Sequence, residues 1–367
     1  MKVIVVTPYF YPHIGGVEKA AYEIAKRIVS YGHDVIVLTT GDKNSVKNID
    51  GIKVYRCKTL FNFLNIPISF QLFKKLLFIK GDLAHVHFPK HLISDIAVII
   101  FKLRLIPTIL TIHDMFLTTP FKKLLGFFYR KSIGNFMLSL SDKITVDSKN
   151  NIPDAIFKKY KNKIKEIPNG TEVKKTKIQL KKNKKFTILF VGTMEKQKIY
   201  KGLEYLVLAM KYTNPLCELL VVGEGELKEY YSKFAKRLGL KRVKFLGFVN
   251  DKKLHELYNK VDCFVLPSIS KQEAFGIVVL EALGYGKPVI VTNVCGVSSI
   301  VKKFNCGIVI KPKSEKSITK AINCLYEQPN LIKTYSKNAY KTAEKFTWNK
   351  ISKIYLDVYE SLLTKNK

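Results

Sequence analysis

Short runs of consecutive apolar residues alternate along this chain with segments whose apolar positions recur every three to four residues. Val3–Val6 is the first run. Gly15-Gly16 follows, and then Val17 to Val29, where Ala20, Ala21, Ile24, Ala25 and Ile28 fall at helical spacing. Runs at Val35–Leu38, Val54–Arg56 and Leu83–His87 come next. A helical stretch from Leu92 to Leu103 then precedes Thr108–Ile112, Ile144–Val146 and Ile164–Ile167. Unbroken apolar runs mark strands buried on both faces, so the pattern predicts a parallel sheet with helices on both sides. The alternation restarts with Phe186–Val191, a helix marked by Leu203, Leu206, Val207 and Met210, and strands at Leu219–Val222, Val243–Leu246, Cys263–Leu266 and Val289–Val291. Between the halves, Lys174 to Lys185 holds seven lysines and little hydrophobicity, and reads as a linker. The chain is therefore expected to be α/β, with two Rossmann-like, doubly wound domains over 1–175 and 186–345. An amphipathic helix, Trp348 to Leu363, ends it. No short internal repeat is visible.

Composition narrows the function classes. Hydrophobic residues make up 47% and charged residues 25%, which is globular. Lys+Arg number 63 against 29 Asp+Glu, a net charge of +34 that attracts phosphates in a nucleotide, an anionic lipid or nucleic acid. Lysines are spread over almost every segment and no nucleic-acid recognition motif accompanies them, so no nucleic-acid partner is expected. None of the six cysteines forms a Cys-x-x-Cys pair or has a histidine at metal spacing. They read as small buried hydrophobes in a reducing compartment. The apolar start Val3–Val6 is too short for a signal peptide, and Ile96 to Ile106 is too short to span a bilayer and broken by Lys102 and Arg104. The expected location is cytoplasmic.

In open parallel sheets, ligands bind beyond the carboxyl ends of the strands, so the polar and glycine residues just after each run are the candidates. After the first run stand Gly15, Gly16 and Glu18, where a glycine pair before a helix leaves free amides for an anionic or hydroxyl-rich ligand. This is not the Gly-x-Gly-x-x-Gly fingerprint of a dinucleotide enzyme. After Thr108–Ile112 stand His113 and Asp114; a histidine there can bond a phosphate or sugar hydroxyl, and equally serves as a structural residue. In the second half, Gly192-Thr193 ends a run and Lys201-Gly202 opens a helix, placing Lys201 as a point charge for a diphosphate. Glu273 precedes Phe275, Gly276, Ile277 and Val278, and Glu281 lies eight residues on in an apolar context that demands a partner. On one helix the two carboxylates would be about 12 Å apart, too far for the pair of a retaining hydrolase. They suit the two ends of a long ligand, sugar at one and ribose further along, with the helix start near Gly276 facing the diphosphate between. No Asp-x-Asp occurs, so the positive charge must come from Lys201 and helix dipoles, and no metal or other cofactor is expected.

These residues resemble the family-four glycosyltransferases of the GT-B fold over nearly the whole chain. Gly15-Gly16-Val17-Glu18 is similar to the family's glycine loop, Thr111-Ile112-His113-Asp114 to its histidine segment, and Pro168-Asn169-Gly170 to its interdomain turn. Lys201-Gly202, Val222-Gly223-Glu224-Gly225 and Leu246-Gly247-Phe248-Val249 resemble its donor-domain loops. Glu273 to Glu281 resembles its Glu-x7-Glu signature. The resemblance implies two facing domains with a cleft, the last helix crossing back to the first domain, and retaining, metal-independent transfer of a sugar, most simply a hexose. It assigns Glu273 to the donor sugar, Glu281 to the ribose, Lys201 to the diphosphate, and His113 to a place near the transferred sugar. It groups Gly15, Gly16, Thr193, Gly223, Gly225, Phe248, Phe275, Gly276, Ile277 and Val278 with donor binding, and Glu18 and Asp114 with the acceptor side. In the family's usual proposal the leaving phosphate takes the acceptor's proton on the same face.

Two departures stand out. The family's second phosphate cation, an arginine, is replaced by Thr193, with Lys196 and Lys198 nearby, and Asn293 to Ser299 differs from the usual Gly-Gly-Val-Pro-Glu. Two basic-apolar segments of the first domain, Leu72 to Phe78 and Phe121 to Lys131, suit either an anionic membrane face or core helices with snorkelling lysines. The expected partners are a UDP- or GDP-sugar donor, a glycan or lipid-linked acceptor, and an anionic membrane surface holding the enzyme peripherally. The rival expectations are a sugar-nucleotide epimerase of GT-B-like fold and, because of Thr193, a nucleotide-sugar binder with weakened catalysis.

Overall fold

The computed structural model describes residues 1–13, 15–63, 66–88, 92–113, 130–149, 152–174 and 185–365. The chain divides into two compact units, Met1–Gly170 with Trp348–Lys367, and Thr171–Thr347. Residues 171–175 thus fall in the second unit. Most of the lysine-rich stretch, Asp114, and almost all of the basic-apolar segment Phe121 to Lys131 lie outside the described residues.

Unit 1 contains β1 (Lys2–Val6), β2 (Asp34–Gly41), β3 (Ser45–Ile49), β4 (Ile52–Lys58), β5 (Phe61–Phe63), β6 (Ile66–Ile68), β7 (Leu83–Phe88), β8 (Thr108–Ile112), β9 (Lys143–Val146) and β10 (Ile164–Glu166). Eight of them form one sheet in the order β10-β9-β8-β7-β1-β2-β4-β3, parallel throughout except for the edge pair β3–β4. The central strands are buried along their length, and are apolar except for buried His85, His87, Thr108 and Thr111 in β7 and β8. The helix Gly16–Ser30 buries the five residues that its spacing marks. The final helix, Trp348–Lys365, packs against it: the Arg27 Nε donates to Asn349 Oδ1 at 2.6 Å and the Tyr31 hydroxyl to the Asn349 carbonyl at 3.0 Å.

Unit 2 contains β11 (Phe186–Val191), β12 (Cys217–Val222), β13 (Val243–Gly247), β14 (Cys263–Leu266), β15 (Val289–Thr292) and β16 (Gly307–Ile310) in one parallel sheet of order β13-β12-β11-β14-β15-β16. This doubly wound order reverses direction between β11 and β14, the place where such sheets hold ligands at their carboxyl edge. In unit 1 the reversal falls between β1 and β7.

Three features depart from the sequence pattern. The polar edge strand β3 (Ser-Val-Lys-Asn-Ile) and the short hairpin β5–β6 carry no long apolar run, whereas the edge strand β16 (Gly-Ile-Val-Ile) carries a short one outside the expected strands. Edge and hairpin strands need bury only one face or none, so long hydrophobic runs do not report them. Glu273 and Glu281 do not share a helix, because the helix begins at Ile277 and Glu273 sits in the turn before it. The segment Leu72 to Phe78 lies in the helix Phe70–Phe78, with Leu72 and Leu76 fully buried. No helix among the described residues is long and apolar enough to cross a membrane.

Candidate active site

In unit 2 the loops after four adjacent strands are stitched together at the sheet's carboxyl edge. The loop after β11 runs through Gly192 and a 3-10 turn, Lys196–Lys201, into Gly202, whose positive φ of 73° starts the helix Leu203–Met210. A Cβ on Gly202 would stand 2.1 Å from the carbonyl oxygen of Pro267, and the Ile269 amide donates to the Tyr200 carbonyl at 2.7 Å. The loops after β11 and β14 are therefore in direct contact. On the other side, Gly223 (φ 137°) lies so close to the Gly192 carbonyl that a Cβ would come within 2.1 Å, and Gly225 packs equally closely on Met194. The Phe248 amide, after β13, donates to Glu224 at 3.1 Å, and its ring is 64% exposed.

The side chains brought together at the reversal point are Lys201 and Glu273. Lys201 Nζ donates to Glu273 Oε2 at 2.7 Å, with the two side chains only 15% and 10% exposed. The Ser268 hydroxyl donates to the same carboxylate oxygen at 3.4 Å. The Glu273 charge, after burial itself, helps push the neighbouring Cys295 thiol up to about 11. An ammonium has three donors, so one bond to Glu273 leaves two for another anion. Beyond Glu273, Gly276 at φ 89° starts the helix Ile277–Gly284 with no side-chain cap, leaving its first amides open to an anion. Ile277 and Val278 are half-buried in that turn, whereas the Phe275 ring is in the core at 3% exposed and can contribute only through its backbone. Glu281 finds the partner that its apolar context demands: the Tyr258 hydroxyl donates to it at 3.1 Å. Burial first, and then the Glu281 charge, raise the Tyr258 pKa well above the ordinary tyrosine value. Thr193 is exposed; Lys196 is engaged by Glu226 at 3.4 Å, and Lys198 Nζ bonds the Tyr200 hydroxyl at 3.2 Å.

Unit 1 gathers a second constellation. His113, 5% exposed after β8, places Nδ1 2.8 Å from Asp147 Oδ2 and Nε2 3.0 Å from His87 Nδ1. His85, on the same face of β7 as His87, joins Thr111 at 2.6 Å and Tyr359 of the final helix at 2.7 Å. Burial holds the His85 pKa down to about 3 and the His87 pKa well below the ordinary histidine value, so both are neutral at pH 7. Among the described residues, His87 Nε2 is buried with no hydrogen-bond partner. Asp147 escaped sequence reasoning although it stands directly after β9, in the position class that flagged His113. Gly15 is extended, and the Glu18 carboxylate occupies the space a Cβ there would take, 2.0 Å away, with Oε1 3.6 Å from His13 Nδ1. Gly16 is the first residue of its helix. Asp114 lies outside the described residues. No cluster of three or more metal-ligating side chains occurs among the described residues.

Residues 172–342 match the family described as Glycosyl transferases group 1, and residues 14–175 match Glycosyltransferase Family 4. An uncharacterised glycosyltransferase of Methanocaldococcus jannaschii is 30% identical, over 98% of each chain. The protein belongs to the family-four, group 1 glycosyltransferases. The D-rhamnosyltransferase WbpZ of Pseudomonas aeruginosa is 27% identical over 90% of this chain and 88% of its own, and O-antigen chain mannosyltransferase C of Escherichia coli is 26% identical over 99% of each. Among solved structures, sucrose-phosphate synthase from Thermosynechococcus elongatus superposes with a TM-score of 0.79 at 19% identity, over 99% of each chain. Anabaena HepE in complex with UDP-glucose gives 0.72 at 19%, over 98% of this chain and 100% of that one. The glycosyltransferase thus has the GT-B fold, built from two Rossmann-like domains, each doubly wound about its own sheet.

Proposed function

We propose that this glycosyltransferase is a retaining, metal-independent enzyme that moves a hexose from a UDP- or GDP-sugar to a glycan or lipid-linked acceptor at the inner face of a membrane. The observation that carries the reading is the buried Lys201–Glu273 pair at the strand-order reversal of unit 2, beside the uncapped helix start at Gly276. In this reading the diphosphate lies on the amides after Gly276 and on the free donors of Lys201. Glu273 accepts from the sugar hydroxyls, Glu281 from the ribose, and the exposed Phe248 ring offers a face to the base. The bond between the sugar C1 and the leaving phosphate oxygen breaks as the acceptor oxygen bonds C1 on the same face. The acceptor's proton passes to that phosphate oxygen. Lys201 and the helix amides offset the charge that develops there, the role a metal plays in sites built on paired aspartates. The lack of any Asp-x-Asp in the chain supports the metal-free form. The donor assignment draws further support from HepE, solved with UDP-glucose, and the acceptor assignment from the O-antigen mannosyltransferase relative.

Thermal-shift screening with UDP-, GDP- and ADP-sugars is expected to select one donor. Transfer from it should persist in EDTA and give a product with the donor's anomeric configuration by NMR. An inverted product, or activity abolished by EDTA and restored by a divalent ion, would overturn the proposal.

A further inference from the structure

Unit 1 carries a strip of exposed apolar side chains that its own packing does not explain. The helix Phe70–Phe78 buries Leu72 and Leu76 completely, yet Phe70, Leu77 and Phe78 are 68%, 50% and 69% exposed. Positions 70, 74, 77 and 78 share one helix face, so Lys74 sits amid three apolar side chains turned to solvent. The strip continues in both directions. Phe61, 55% exposed, pairs in the β5–β6 hairpin with Ile68, next to the Ser69 cap of this helix. At the other end the Arg104 guanidinium donates to the carbonyls of Leu76 and Ile79 at 2.7 and 2.6 Å. That clamp holds Leu103 and Leu105, 80% and 88% exposed, beside the last turn. Leu105 is held at φ 55°, a conformation a bulky residue adopts at a cost. The hairpin, cap and clamp thus hold Phe61, Leu103 and Leu105 exposed at the two ends of the helix that exposes Phe70, Leu77 and Phe78.

The charge within this stretch of chain is positive. From Ile52 to Gly81 there are six Lys and Arg and no Asp or Glu. Lys58, Lys74 and Lys80 are exposed along it, while Lys102 is committed to Asp142 at 2.8 Å. A face of large apolar side chains framed by lysines is what an interfacial helix offers to anionic headgroups and the acyl chains beneath them. A second copy of a chain with net charge +34 would bring like charges together on the same face, which disfavours self-association there.

We infer that the helix Phe70–Phe78, with the tips at Phe61 and Leu103–Leu105, is the surface by which this enzyme docks on an anionic phospholipid bilayer. The inference rests on the membrane part of the proposed function and is independent of the donor assignment. The test is co-sedimentation of the full chain with vesicles of phosphatidylglycerol and phosphatidylcholine mixed, or of phosphatidylcholine alone. The wild type should bind the mixed vesicles, release as salt rises, and ignore the neutral ones. The double variant Phe70→Glu with Phe78→Glu changes only exposed positions and should bind at least about tenfold more weakly. Its Trp348 fluorescence and its transfer to a soluble acceptor should stay unchanged. Undiminished binding by the double variant would overturn the choice of surface. Absence of wild-type binding would overturn the membrane reading with it, and concentration-dependent dimers lost in the variant without lipid binding would assign the strip to a second copy instead.

Discussion

The pair Lys201–Glu273 allows stability and catalysis to be separated. Both side chains are at most 15% exposed, so a substitution on one side leaves the other charge desolvated and unpaired. Glu273→Gln leaves the ammonium facing a neutral amide. Lys201→Met leaves the carboxylate with the longer Ser268 bond. Breaking a buried pair from one side costs about 3–5 kcal/mol, whereas replacing both members by neutral groups of similar volume is close to neutral. For a domain of this size about 2–4 °C of Tm follows each kcal/mol. Each single variant should therefore lower the unit 2 transition by roughly 6–20 °C, and Lys201→Met/Glu273→Gln should return to within about 4 °C of wild type. Scanning calorimetry resolves this. The sole tryptophan, Trp348, belongs to unit 1, so its fluorescence gives an internal control that should not move. Transfer should behave otherwise. If Lys201 holds the diphosphate as proposed, the double variant should stay at least about 100-fold below wild type although its stability has returned. A double variant that regained transfer along with stability would reduce the pair to a strut between two loops, and the site assignment would fail.

Acid should weaken unit 1 first. His85 is held at a pKa of about 3 by burial, below the ordinary 6.5, so as pH falls below 6.5 the unfolded chain binds a proton that the folded one refuses. Stability is full above 6.5 and falls with acidification, by about 2 kcal/mol at pH 5 from this residue, with His87 acting in the same direction. Denaturant titration followed by Trp348 fluorescence at pH 7.5 and 5 checks it; equal midpoints would refute it. Asp147→Asn replaces the carboxylate oxygen that holds His113 Nδ1 at 2.8 Å and should lower transfer by loosening the imidazole. Transfer at the wild-type rate would make the contact purely structural. Gly223→Ala forces a Cβ to within 2.1 Å of a backbone carbonyl at φ 137°, and should weaken donor binding as well as lower the unit 2 transition, both absent if the loop yields freely. Isothermal titration with the donor measures the first effect.

The parts of the fold written in the sequence are those where burial dominates. β8, β11 and β14 coincide with their largely apolar runs because both faces of a central parallel strand are buried. β3 and the β5–β6 hairpin obey no such demand and left no signal. The site divides along a similar line. Lys201, Glu273 and His113 were legible because each follows a strand, and the carboxyl edge of a parallel sheet is where side chains converge. What they touch was not legible. Glu273 meets Lys201 72 positions away, Glu281 meets Tyr258 23 away, and His113 meets Asp147 34 away. These partnerships are fixed by strand order, which periodicity does not encode. The helical spacing of Glu273 and Glu281 likewise misleads, because Gly276 at φ 89° ends the turn that holds Glu273 before the helix begins.

Net charge draws anions to this protein, but it does not choose where they bind. Sixty-three Lys and Arg are spread over the whole chain, and a diffuse field of that kind is screened within about 8 Å at physiological salt. Among the lysine ion pairs described, every lysine except Lys201 is between 35% and 71% exposed, where such pairs contribute about 0–1 kcal/mol. Lys201 alone of them is held under cover, by the turn that carries it and by a carboxylate that fixes its direction. A cation so placed has given up most of its water before any ligand arrives, and its orientation needs no further ordering. In the proposed reading, that is the difference between a charge that only attracts a nucleotide-sugar and one that acts on its leaving phosphate. Raising ionic strength should therefore weaken the association of donor far more than it lowers the rate of the bound complex. An equal fall in kcat and kcat/KM with salt would mean that the diffuse field, and not this one lysine, does the work.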